Sequence, residues 1–380
     1  MKSIMQKDLW SITSFLENKN YKFNKENILT QLPEKFIDEA IKAISSWDNY
    51  APTPLVKLNK LNDELKFKNI YYKDEDKRFD LKSFKALGGA FAVYKIASEK
   101  ENITVSTATA GNHGRSVAWG AQRLGLKCKI FISEFVSESR AEAMRKLDAE
   151  VIRVKGNYDN SLKECIKQSK ENNWEIVQDV SWEGYKEVPK LIMAGYTIMI
   201  KEILDEVKSN SISHVFLQAG VGGMAAAMIA GFAKLSQDIP KFIIVEPENA
   251  DCVFQSIKNN KPTSVDIKKE TVMGGMSCGD VSSIAWEILK NSSNYCLTIS
   301  DEAISTTVAL LAEKRLSDEK IIAGECAVPG IIALISSFNN KEYLDKLELN
   351  KQSNVLLFGC EGLTDSAMYQ KLLSDGLQKI

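Results

Sequence analysis

Lys85 carries the most distinctive chemistry in the chain. It lies in the run Phe79-Asp80-Leu81-Lys82-Ser83-Phe84-Lys85-Ala86-Leu87-Gly88-Gly89-Ala90. Ser83 is a candidate N-cap, because Ala90, Phe91, Val93, Tyr94 and Ile96 then recur at helical spacing. That spacing predicts Lys85 in the first turn of a helix. An ammonium there opposes the positive end of the helix dipole, so a neutral amine or imine is favoured. A lysine held this way suits Schiff-base chemistry. The plain alternative is a solvated surface lysine, and the residues that accompany Lys85 argue against it.

Thr109-Ala110-Gly111-Asn112-His113 follows one strand-like run and opens a helical one. Its small residues let backbone amides approach an anion such as a substrate carboxylate, and Asn112 can donate from its side-chain amide. An ordinary Asn N-cap is the simpler reading of Asn112, and a structural role the simpler one of His113. Asp179 follows Trp174-Glu175-Ile176-Val177, a strand pattern, so it falls at a strand's carboxyl end; a turn cap is the alternative. Glu183 and Tyr185 share its loop. Gln218-Ala219-Gly220-Val221-Gly222-Gly223-Met224-Ala225 joins a strand to a helix, and its amides with the helix N-terminus suit a phosphate. The same glycines fit a dinucleotide fingerprint, with Glu246 where a ribose-binding acid would lie. That rival explains neither Lys85 nor the 109–115 loop. Cys360 ends the last strand pattern, and Cys252 and Cys278 lie in separate loops.

Strand patterns at 69–73, 103–106, 128–132, 151–154, 174–177, 214–217, 242–245 and 354–358 must position these groups. Helical patterns over 112–124, 137–147, 158–171, 189–207 and 224–235 lie between them. Such alternation predicts an α/β protein with mainly parallel sheets and helices on both faces. Ligands of these folds bind at the carboxyl ends of the strands. Residues 1–50 are polar and mixed, and read as an N-terminal arm packed on the main body or on a partner subunit.

The chain has 380 residues, with 49 Lys and Arg against 50 Asp and Glu, so nothing favours nucleic acid or a membrane surface. No run is long enough to span a bilayer, and no apolar leader opens the chain. Seven scattered cysteines do not resemble a secreted disulfide framework. Two histidines and no Cys-x-x-Cys pair give no metal site. A cytoplasmic protein is the expectation.

Together these stretches resemble the fold type II pyridoxal-phosphate enzymes: threonine and serine dehydratases, cysteine synthase and tryptophan synthase β. Within that family they most resemble the diaminopropionate ammonia-lyases. The likeness runs over nearly the whole chain, through Arg78-Phe79 to Gly89, Gly111 to Trp119, Asn157-Tyr158-Asp159, Val177-Gln178-Asp179, Trp182 to Tyr185, Gln218 to Gly222, Val245-Glu246-Pro247, Gly324-Glu325 and Glu361 to Asp365. It implies two α/β domains, 1–92 with 188–380 forming the large cofactor-binding one and 93–187 a small insert, in a homodimer.

The resemblance further implies pyridoxal 5'-phosphate as cofactor, with Lys85 forming the internal aldimine. Asn112 would bond the phenolic oxygen, and Gly220, Val221, Gly222, Gly223 and Met224 would hold the phosphate. Cys360, or Thr364 as second choice, would face the pyridine nitrogen as a neutral partner, which favours β-elimination over racemisation or transamination. Thr109, Ala110, Gly111, Asn112 and His113 would receive a small amino-acid substrate. Asp179, or the freed Lys85, would remove the Cα proton. Cys252 and Cys278 match positions that can approach each other, and thiols are expected in a reducing compartment. The reaction implied is α,β-elimination of a β-substituted L-amino acid to pyruvate and ammonia. The ammonia-lyase pattern has an aspartate just before Gly-Asn-His-Gly-Arg, the base for the D-isomer; here that residue is Ala110. Leu363 likewise replaces a family aspartate, and Cys326 and Ala327 replace Ser and Gly. Diaminopropionate with an L preference is the leading substrate expectation. Lanthionine, serine or cysteine-type thioethers are the alternatives, a nicotinamide-dependent oxidoreductase is a more distant one, and a non-catalytic amino-acid-binding relative is a third.

Overall fold

The computed structural model describes residues 9–109, 111–207 and 211–380. Its strands are β1 Ile12–Glu17, β2 Leu55–Lys57, β3 Asn69–Asp74, β4 Thr104–Ala108, β5 Lys127–Ser133, β6 Glu150–Val154, β7 Glu175–Ile176, β8 His214–Gln218, β9 Lys241–Pro247, β10 Tyr295–Ile299 and β11 Asn354–Gly359. The described residues form two compact units. The first takes those of Met1–Gln31, Pro52–Lys77 and Met199–Ile380, and the second takes Leu32–Ala51 and Arg78–Ile198.

The first unit holds a seven-stranded sheet in the order β1-β10-β9-β8-β11-β3-β2. Its inner pairs are parallel, whereas the edge pairs β1–β10 and β2–β3 are antiparallel. Every residue of β8 and β11 is buried, as expected for central strands covered on both faces. The helices Gly223–Leu235 and Pro329–Asn339 are apolar nearly all round, which fits their burial in this unit. Residues 1–50 are not simply an arm. Within them, β1 completes the sheet by pairing Phe15 with Leu297 and Glu17 with Tyr295.

The second unit holds a four-stranded, wholly parallel sheet in the order β6-β5-β4-β7. Ala108, Phe131 and Cys165 centre its core, with Ile152, Val154, Leu162 and Trp174 packed against them. The helices Glu34–Ser45, Lys85–Glu99 and Glu187–Tyr196 belong to this unit. The pattern over 189–207 is two helices, Glu187–Tyr196 and Ile198–Val207, parted at Thr197. There Thr197 gives both its N–H and its hydroxyl to the Ala194 carbonyl, at 3.1 and 2.6 Å. Both sheets are thus mainly parallel, and no described helix is long and apolar enough to cross a membrane.

Candidate active site

In the second unit the Lys85 helix is fixed by residues that lack side-chain bulk. A Cβ on Gly195 would lie 2.8 Å from the Gly88 Cα, so the helices Lys85–Glu99 and Glu187–Tyr196 cross backbone to backbone. On its other side a Cβ on Gly89 would lie 2.5 Å from Ser116 Oγ, and one on Gly120 would lie 2.7 Å from the Ala90 Cα. Ser116 Oγ accepts the Ala90 N–H at 3.0 Å. The approach to this helix is strained: Phe79, Asp80 and Lys82 all have positive φ, at 48°, 59° and 59°. Lys85 is the first residue of the helix, as its spacing predicted. The N-cap position, however, is Phe84, and Ser83 Oγ accepts the Lys85 N–H at 3.3 Å from one residue further out.

Lys85 Nζ donates to Asp179 Oδ2 at 2.7 Å. Both side chains are partly open, 29% and 15% exposed. The dipole argument for a neutral amine therefore meets a nearer and opposite charge. Burial pulls the Asp179 carboxyl up, but His113, Lys85, the Lys85 hydrogen bond and a backbone N–H together bring it well below the usual carboxylate range. His113 is buried, with Nε2 donating to the Val177 carbonyl at 2.8 Å. That bond leaves Nδ1 as the lone-pair nitrogen of the neutral ring, 3.9 Å from Asp179 Oδ2. Burial lowers the His113 pKa, against the opposing pull of the Asp179 carboxylate.

Thr109, Gly111 and Asn112 follow β4 in the same unit. Thr109 Oγ1 accepts the Gly111 N–H at 3.4 Å, and the space where a Gly111 Cβ would stand is open. Gly111 is the N-cap of the helix Asn112–Arg123, so Asn112 is its first residue and not its cap. Ala110 lies outside the described residues. Glu183 is exposed, while Tyr185 Oη accepts the Gln178 N–H and donates to the Ile176 carbonyl, both at 2.8 Å. Tyr185 therefore braces the loop that carries Asp179. Gln178, which the sequence places only within a motif, stands between the end of β7 and Asp179, and that position is the signal for a closer role.

In the first unit, Gly220, Val221, Gly222, Gly223 and Met224 follow β8 and open the helix Gly223–Leu235. Gly222 has φ +87°, a conformation that favours glycine. No side chain caps this helix, and the space in front of Gly223 is open. A thirteen-residue helix presents unbonded N–H groups there, which suits a phosphate. Cys252 Sγ donates to the Gly220 carbonyl at 3.5 Å, and Cys278 Sγ lies 2.9 Å from where a Gly220 Cβ would be. Both are free thiols. Cys360 follows β11 and donates its thiol to the Cys326 carbonyl at 3.2 Å. Thr364 is half-buried, in a turn where its N–H reaches the Gly362 carbonyl at 2.9 Å. Within this unit the uncapped helix N-terminus and the Cys360 thiol fit the phosphate and the ring nitrogen of pyridoxal phosphate, and within the second unit the Lys85 amine fits its aldehyde.

The dinucleotide alternative fails at Glu246. Its carboxylate accepts the Val253 and Phe254 N–H groups at 2.9 and 2.7 Å, capping the helix Cys252–Asn259. Burial pushes its pKa up to about 8, and its side chain is closed to a ribose.

Lys85 at a helix start, Asp179 after β7 and the glycine loop after β8 point to one class of protein. The chain belongs to the pyridoxal-phosphate dependent enzyme family, which matches residues 47–360. It is 34% identical over 351 residues to a diaminopropionate ammonia-lyase of Escherichia coli K12, covering 86% of this chain and 88% of that protein. The diaminopropionate ammonia-lyase of Escherichia coli solved with D-serine superposes with a TM-score of 0.89 at 31% identity, covering 97% of this chain and 98% of that one. The same enzyme solved with an aminoacrylate-PLP azomethine reaction intermediate gives 0.88 at 32% identity, with the same coverage. The fold and cofactor expectations therefore hold: this is a pyridoxal-phosphate-dependent enzyme with two α/β sheets.

Proposed function

We propose that the chain eliminates the β-substituent of an L-amino acid to give pyruvate and ammonia, with L-2,3-diaminopropionate as the preferred substrate. The observation that carries this reading is the 2.7 Å pair of Lys85 Nζ and Asp179 Oδ2, at the carboxyl ends of a parallel sheet. Bound pyridoxal phosphate supplies an aldehyde for an amine to capture and a ring that accepts electrons from Cα.

The chain's own residues supply the rest. Lys85 would be the amine that holds the cofactor's aldehyde carbon. The N–H groups of Gly220 to Met224 would bind its phosphate. Asn112 would donate to its phenolic oxygen. Cys360, with Thr364 as second choice, would offer the ring nitrogen a neutral partner. Asp179 is ionised and partly exposed, so Oδ2 can accept the Cα proton once Lys85 has moved away. Thr109 with its hydroxyl and Asn112 with its side-chain amide supply donors for the substrate carboxylate, beside the open space at Gly111. His113, neutral and bonded to Val177, orients the Asp179 side. The β-amino group leaves as ammonia, and the released enamine hydrolyses to pyruvate and a second ammonia.

Ala110 supports the L preference, since a methyl group cannot take a proton where the ammonia-lyase pattern has an aspartate. Ala110 and Leu363 also favour a second reading, in which the leaving group belongs to lanthionine, serine or a cysteine-type thioether. A homodimer in the cytoplasm fits the family resemblance and the thiol cysteines; light scattering giving twice the chain mass would support the dimer. The deciding experiment is a pyruvate-release screen of the purified yellow protein on this substrate panel. Diaminopropionate is expected to lead, and pyruvate from none of the panel would defeat the proposal.

A further inference from the structure

Gln178 is buried, and all four hydrogen-bonding positions of its side-chain amide that face the protein are filled. Nε2 donates to the Ala108 carbonyl at 2.9 Å and to Tyr158 Oη at 2.8 Å. Oε1 accepts from Thr107 Oγ1 at 2.8 Å and from the Ala108 N–H at 3.1 Å. The setting explains the pattern. β7 pairs with β4 only through Glu175 and Ile176. The Val177 N–H then reaches the Ser106 carbonyl at 2.8 Å. At the next rung, both the N–H and the carbonyl of Ala108 are taken by the Gln178 side chain. A primary amide offers a donor and an acceptor side by side, as a peptide does. The ladder thus gains one rung while the main chain is released to turn. The following residue is Asp179.

We propose that Gln178 is a positioning residue: its side chain completes the β4–β7 ladder and so fixes the peptide from which Asp179 reaches Lys85. The proposal rests on the reading of Asp179 as the base. Without the amide, the buried N–H and carbonyl of Ala108 lose their partners, and the 178–179 peptide is free to shift. A displacement of about 1 Å at a reacting group costs about 10²-fold in rate. The charged and titratable groups around Asp179 are Lys85, His113, Tyr185 and Tyr196, and Gln178 itself carries no charge.

The test compares the holoenzyme with Gln178→Leu, Gln178→Glu and Asp179→Asn on L-2,3-diaminopropionate. It follows kcat, KM, their pH profiles and the visible absorbance of the bound cofactor. Gln178→Leu is expected to keep the absorbance and to lower kcat by about 10²-fold with KM changed by less than about threefold. Gln178→Glu regains a paired donor and acceptor only when protonated, so its activity relative to wild type is expected to rise as pH falls. A wild-type kcat in Gln178→Leu would overturn the proposal. If that variant loses its cofactor band, Gln178→Glu decides, and a constant ratio to wild type at every pH overturns it. Wild-type turnover in Asp179→Asn would instead remove the base assignment itself, and the positioning role with it.

Discussion

At the scale of single residues, Lys85 and Asp179 were readable because each sits at a boundary between elements. A lysine just after Ser83 at a helix start and an aspartate just after a strand have few places to be in a parallel α/β sheet. What could not be read was their pairing, since they are separated by most of the second unit. The ion pair replaces the neutral amine that the dipole alone suggested. Two outcomes follow. Borohydride treatment of the yellow protein should fix the cofactor to the peptide containing Lys85, as mass spectrometry would show; a label on any other lysine would overturn that assignment. Initial rates on the two diaminopropionate enantiomers should differ by at least about 10²-fold in favour of L, the usual minimum worth of a positioned base. Equal rates would mean that Ala110 does not set the preference.

At the scale of elements, most of the alternating strands and helices were legible from hydrophobic runs and breakers. The edge strands β1 and β2 were not, because β1 is only partly buried and β2 is three residues long, so neither carries a strong pattern. β10 was missed although Tyr295-Cys296-Leu297-Thr298-Ile299 is a short apolar run; nothing in sequence tells such a run from a buried helix segment. The glycines of the Lys85 helix were visible as letters, but their partners across the helix contact were not. Gly88 and Gly195 allow the two backbones to touch, so Gly195→Ala should force them apart. A loss of about 1–3 kcal/mol in denaturant unfolding is expected. Unchanged stability would show that the helices can yield at no cost. Glu246 shows the converse. Its place after a strand looked like ribose recognition, and only the structure reveals that two backbone N–H groups already occupy it.

At the scale of the whole molecule, each unit has its own sheet and core, and the first unit also buries a run of charge at the end of β3. Lys73, Asp74, Glu75 and Asp76 are all buried. Lys73 Nζ pairs with Glu202 at 2.6 Å and donates to the Thr53 carbonyl at 2.7 Å, while Thr53 Oγ1 donates to Glu75 at 2.6 Å. No local pattern announces such a network, because its partners come from distant segments. Lys73→Met should cost about 3–5 kcal/mol by stranding the Glu202 carboxylate. A loss below about 1 kcal/mol in equilibrium unfolding would contradict that.

Asp74 gives the pH dependence. Burial pushes its pKa up to about 6, above the unfolded value of about 3.9. Between those values the unfolded chain has released a proton that the native state keeps, so stability from this group falls as pH rises from about 4 to 6. Asp74→Asn should flatten the stability curve over that window; an unchanged slope would place the titration elsewhere.

The central claim is that Asp179 takes the Cα proton of the bound substrate once Lys85 has moved away. The most direct measurement is pyruvate release from L-2,3-diaminopropionate by Asp179→Asn protein that still shows the bound cofactor's absorbance. Turnover should fall by about 10²–10⁴-fold with the cofactor retained. Turnover at the wild-type rate would contradict the account.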